Sequence, residues 1–182
     1  MTKWLSHRMV ERGIIKEEEQ ELYQFGIRNG MILLLNVVTA PVIGLLTEQL
    51  AVVAVFTLSF MVLRSYTGGY HSDSRVFCYL GSNLVLLVPV YTQAVFYKTS
   101  LAWLLAVLLV SAGIIFLLSP MHSKNRKLDK EEQKHFGRKA RLIAALELAV
   151  LGILWHAGQI PYAYAVYTGI CITALFMLIG KA

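Results

Sequence analysis

The sequence predicts an all-α, polytopic membrane protein with about six transmembrane helices behind an N-terminal amphipathic, interfacial helical region. Three observations carry that prediction. Only 15% of the 182 residues are charged, where a soluble domain carries about a quarter, while 57% are hydrophobic and the mean hydropathy is +0.59. Apolar runs recur at lengths suited to a bilayer core, which takes roughly 20 helical residues to cross. The basic residues fall between these runs in a one-sided pattern.

The first element is residues 1–29. Trp4, Leu5, Met9, Ile15, Leu22 and Phe25 are interspersed with Lys3, Arg8, Arg12, Lys16 and Glu17 to Glu19, the apolar and charged faces of a helix lying on a membrane surface. Gly13 and the glutamate run interrupt the stripe. The stretch is too charged for the apolar core of a signal peptide, so no cleavable signal is expected.

Six spans are expected over residues 30–46, 50–64, 76–97, 101–119, 142–160 and 162–180. The second is short, since Leu50 to Leu63 reaches only about 21 Å as helix. Either "RSYTGG" completes that crossing or the bilayer thins there. Pro89 is expected to kink the third span. The whole of 1–182 reads as one membrane-embedded domain, with residues 30–182 as a six-span bundle and a basic loop at about 120–141.

Six spans put sixteen of the seventeen basic residues on one side, leaving only Lys98 on the other. By the positive-inside rule that side is cytoplasmic. It carries both termini, residues 64–75 and the loop containing Lys124, Arg126 and Lys127. The net charge of +6 is therefore a property of one face, suited to topology and to anionic lipid. Nucleic acid is not an expected partner, because no recognised motif is present and the basic residues sit between spans. Halves of the chain show no repeat of the kind many transporters carry.

Chemistry points to one stretch, "RSYTGGYHSDSRVFC", Arg64 to Cys78. Ser72, Asp73 and Ser74 are good N-cap residues, so the third span is expected to begin there, with Cys78 within about two turns of its N-terminus. Amide dipoles and Arg75 both favour a thiolate at that place. On one continuous helix His71 and Cys78 would stand ~10 Å apart, too far for proton transfer. His71 must then lie in a loop that folds back, and Gly68–Gly69 give the backbone that freedom. Spacing alone leaves two readings open: a thiol activated by imidazole, or an interfacial histidine near a small packed cysteine.

The full pattern, Arg64-x3-Gly68-Gly69-x-His71-x6-Cys78-x3-Ser82, resembles the accessory gene regulator B family, membrane peptidases that mature quorum-sensing peptides in Gram-positive bacteria. Length, the charged N-terminal region, the six spans and the Pro-bounded basic loop Ser119–Lys127 extend the resemblance over essentially the whole chain. It implies His71 and Cys78 as the catalytic pair, with Arg64, Gly68, Gly69 and Ser82 at supporting or substrate-binding motif positions. It also implies a cysteine endopeptidase that cuts a propeptide, holds the acyl group as a thioester and releases it as a thiolactone or lactone. No cofactor and no metal are expected, since His71, Cys78, His122 and His135 lack short ligand spacing. The partners expected are the propeptide of a cyclic autoinducing peptide, the lipid bilayer and, as one option, a second copy in a homodimer, all at the bacterial cell membrane. The competing class is a small transporter or channel, for which the scattered Asn36, Asn83, Gln93, Glu147 and Gln159 offer no evident path.

Other residues carry double readings. Ser82 could help bind the acyl oxygen, orient His71 or simply pack helices. Asp73 could orient His71 or cap the helix. Glu147, an acid inside a span, could reach the active site or snorkel to the interface. Cys171, mid-span among apolar residues, reads as packing.

Overall fold

The computed structural model describes residues 2–68, 75–121 and 129–181, without the side chains of Thr2, Arg28, Asn29, Arg75, Val76, Cys78, Lys130 and Lys181. Among these residues every regular element is a helix. The chain divides into two compact units, Met1–Thr39 and Ala40–Ala182.

In the first unit, α1 (Thr2–Glu11) is a short helix. It ends in a turn through Gly13, whose φ is +67°. Ile15 is buried behind that turn, and Gln20 donates to the hydroxyl of Ser6 on α1 at 3.4 Å. A 3-10 turn, Glu17–Glu19, is closed by the Glu19 carboxylate, which accepts from the Lys16 amide at 3.2 Å. Helix α2 (Gln20–Leu46) then runs without a break through the 29/30 boundary expected between interfacial region and first span. Its reason is local: Gly26 and Gly30 lower helix propensity without removing a hydrogen-bond donor, so nothing there ends a helix.

In the second unit, the end of α2 turns at Thr47 to Gln49 into α3 (Leu50–Thr67). Gly44 makes that turn close, because a Cβ on it would stand 2.8 Å from the Leu50 Cα. Helix α3 passes the expected end at residue 64 and continues one turn further, so its 18 residues span about 27 Å. The "RSYT" half of the doubtful segment completes the crossing as helix.

Helix α4 (Arg75–Tyr91) stops two residues after Pro89, and α5 (Gln93–Lys98) resumes past Thr92. Proline clashes with the preceding turn and lacks an N–H, so the third expected span is two helices. Helix α6 (Leu101–Leu118) matches expectation. Helix α7 (Lys130–His156) begins twelve residues before the span expected at 142. The second half of the expected basic loop is helix because Asp129 caps it, accepting from the Glu131 amide at 2.8 Å while Glu132 accepts from the Asp129 amide at 3.3 Å. Helix α8 (Ile160–Lys181) completes the chain.

Among the described residues, four helical stretches are long and apolar enough to cross a membrane: Glu17–Leu46, Leu50–Thr67, Leu101–Leu118 and Ile160–Gly180. Helix α4 falls short in length. Helix α7 carries Lys139, Arg141 and Glu147 within its last 18 residues. The count of six crossings is thus not reached by length and composition.

Helix α8 is the centre of this unit and packs against α3, α6 and α7. Gly169 makes the closest approach, with Ser59 Oγ 2.7 Å from where its Cβ would lie. Two apolar clusters follow. One joins Ala40, Val52, Val53, Phe56, Leu86, Val90 and Ala165; the other joins Leu63, Ile115, Ala144, Val166, Ile170, Ala174 and Met177. Leucines such as Leu109 and Leu117 on α6 point outward, as a lipid-facing surface requires.

Candidate active site

The motif begins at the C-terminus of α3. There the helix needs an exit, and Gly68 provides it with φ +70° and ψ −155°, a conformation that residues with a Cβ rarely adopt. A second constraint acts on the same atom. A Cβ on Gly68 would lie 2.6 Å from the carbonyl oxygen of Met121. The Met121 amide in turn donates to the Thr67 carbonyl at 2.8 Å. Arg64, one turn back on α3, donates from Nη1 to the Gly68 carbonyl. Its guanidinium also lies 5.5 Å from the Phe176 ring of α8.

The residue expected to carry the proton transfer, His71, lies outside the described residues, as do Gly69, Asp73 and the Cys78 side chain. The described backbone gives one further fact: α4 begins at Arg75, so Cys78 is its fourth residue. Ser82 follows one turn later and is half-buried. Arg64 and Gly68 are brought together in direct contact; Ser82 sits on a different helix from both.

Two suspects are placed elsewhere. Glu147 on α7 lies beside Ser59, nine residues before Gly68 and so about 13 Å back along α3. Cys171 on α8 is half-buried between Ser111 and Tyr167. A cavity of about 280 Å³ is at the opposite end of the unit, walled by Phe96, Leu101, Leu104, Leu151, Trp155 and Tyr167 among others. It is apolar and distant from the motif.

Sequence reasoning missed the partners of Gly68. The strap Ser119–Met121 lies across the end of α3, and Gly137 of α7 lies under it. Beside them Tyr66 meets Phe136 at 6.1 Å and Lys139 at 5.6 Å from its ring. The readable signal was Gly137, a helix-weakening residue in the midst of good helix formers.

The sequence profile of the family described as accessory gene regulator B matches residues 1–179. A putative AgrB-like protein of Clostridium perfringens (strain SM101 / Type A) is 23% identical over 148 residues, 78% of this chain and 69% of its own length. Putative AgrB-like protein 2 of Clostridium perfringens (strain 13 / Type A) is 24% identical over 131 residues, covering 69% of this chain and 61% of its own. The accessory gene regulator protein B of Staphylococcus intermedius is 26% identical over 121 residues, covering 66% and 62%. In the last two the matched stretch is less than two thirds of the relative. No solved structure matches.

Proposed function

The chain belongs to the accessory gene regulator B family, a family of quorum-sensing regulation, and from that premise we propose a membrane-embedded cysteine endopeptidase that matures a quorum-sensing propeptide. The supporting observation is the framing of the reactive segment. Gly68 is pinned three residues before His71, and Cys78 follows in the first turn of α4. A helix N-terminus stabilises negative charge, and a thiolate is the form of cysteine that attacks.

In this mechanism His71 takes the proton from Cys78, and the thiolate attacks the carbonyl carbon of the scissile amide. The C–N bond breaks, the proton passes from His71 to the leaving amine, and a thioester to Cys78 remains. A Cys or Ser side chain of the propeptide then attacks that thioester, giving its proton to His71, and Cys78 leaves as thiolate, to be reprotonated by His71. Ring closure yields a thiolactone or a lactone. Forming a thioester from an amide is uphill, so removal of a product must draw the first step forward. Arg64 and Gly68 hold the backbone where the segment leaves α3.

The motif end faces the cytoplasm in this reading. Arg64, Lys139 and Arg141 gather at that end of the second unit, with Lys98 at the other, a bias of the sign the positive-inside rule asks for. The test is cleavage of a tagged propeptide, with amphipathic leader and acidic tail, in membranes holding the enzyme. Cys78→Ala and His71→Ala should each abolish cleavage with insertion intact, as members of one catalytic unit do. Cleavage at the parent rate by Cys78→Ala would end the proposal.

A further inference from the structure

A Cys–His pair works only if its two members are held in register, and one end of the segment joining them to the fold is Gly68. What holds Gly68 is the strap Ser119–Met121, through the Met121 amide on the Thr67 carbonyl and the Met121 carbonyl packed against Gly68. The strap has its own support. A Cβ on Gly137 would lie 3.0 Å from Pro120 Cδ and 3.3 Å from the Ser119 carbonyl oxygen, and Ser119 Oγ stands 4.0 Å from the Met177 sulfur of α8. Gly152, further along the same helix, has nothing within 4 Å of its Cβ position. Gly137 is therefore in tight contact with the strap for a reason that α7 itself does not impose.

We infer that Gly137 is a positioning residue for the His71–Cys78 pair: it lets the Ser119–Met121 strap seat on α7, and the seated strap fixes Gly68. The inference rests on the peptidase reading above. A side chain on Gly137 pushes the strap by tenths of an ångström, and the strap passes that shift to Gly68 through two backbone contacts. Misplacement of a reacting group on the scale of 1 Å is worth about a hundredfold in rate, so small shifts are read out strongly. Ala is a better helix former than Gly, so Gly137→Ala leaves α7 intact while crowding the strap.

The experiment measures alkylation of Cys78 by iodoacetamide across pH, using full-length protein in micelles. Cys171→Ala is the parent, which leaves Cys78 as the single thiol. The parent and Gly152→Ala should share one pH profile, with reactivity extending below the free-thiol pKa of about 8.5. His71→Ala should lose that low-pH reactivity. Gly137→Ala should slow alkylation near neutral pH by about tenfold, and Gly137→Leu should approach the His71→Ala profile. A role in packing alone would lower the melting temperature and leave the profile in place. If His71→Ala changes the profile and both Gly137 variants keep that of the parent, the positioning role is wrong and the pair stands. If His71→Ala itself changes nothing, the pair and the positioning role fall together.

Discussion

At the end of the second unit where α3 stops, three chain segments meet, mostly through backbone atoms: Thr67 and Gly68 against Met121, Gly137 against the strap, and Arg141 Nε donating to the Phe116 carbonyl at 3.1 Å. At the opposite end, where α4 gives way to α5, rings do the packing. Phe96 lies 4.3 Å from Tyr164, 5.6 Å from Tyr167 and 6.1 Å from Trp155, and Thr92 shares a hydrogen bond with the Tyr164 hydroxyl. Ring packing gives burial with some tolerance, since aromatic pairs accept a range of angles and separations. Backbone contacts against a glycine accept almost none. Geometry is fixed at the motif end, while bulk suffices at the aromatic end.

The sharpest way to break that comparison is Gly68→Ala. It demands a backbone conformation that is essentially glycine's alone, worth about 1–3 kcal/mol, and drives a methyl into the Met121 carbonyl. Cleavage is expected to fall by about a hundredfold, measured beside the melting temperature. Arg64→Ala comes next, with turnover reduced by about tenfold and apparent affinity for propeptide nearly unchanged. Arg64→Lys should recover little, because a lysine is a point charge on a flexible stem and not a planar fork. Steady-state kinetics separates the two effects.

The basic residues of the 122–128 stretch, which lie outside the described residues, should act on binding instead. Neutralising Lys124, Arg126 and Lys127 together should weaken propeptide binding more than turnover, and binding should weaken with salt as the Debye length shrinks to about 8 Å. A triple variant with unchanged affinity at low salt would return these residues to a topology signal. At the aromatic end, Phe96→Ala should destabilise by about 3–5 kcal/mol yet leave the turnover of folded enzyme nearly unchanged. Equal losses of turnover from Phe96→Ala and Gly68→Ala would erase the contrast. Cys171→Ala should be silent in both measures.

Much of this was legible in the sequence, and the failures have physical causes. The helical class and the approximate position of each hydrophobic segment follow from apolar runs that only a membrane accommodates. Helices run past the expected span bounds where charged residues flank the apolar run. Helix α3 does not stop at Arg64, because a helix tolerates a terminal arginine and stops where the backbone must turn, at Gly68. Helix α7 starts at Lys130 behind Asp129, whose pairing with Glu132 is a capping box written plainly in "DKEE". In the candidate site the motif marks Arg64 and Gly68, and the glycine's need for an unusual φ can be anticipated. That Met121 and Gly137 complete the junction could not be, since local sequence carries no record of which distant segment a glycine meets.

The central claim is that Cys78 forms a covalent bond with the propeptide. Its most direct measurement is intact-protein mass spectrometry of the membrane enzyme quenched in acid during turnover, followed by peptide mapping. An adduct is expected on Cys78 with the mass of the N-terminal part of the propeptide, released by hydroxylamine and absent in Cys78→Ala. Propeptide cleavage with no adduct on Cys78, or with Cys78 replaced by alanine, would contradict it.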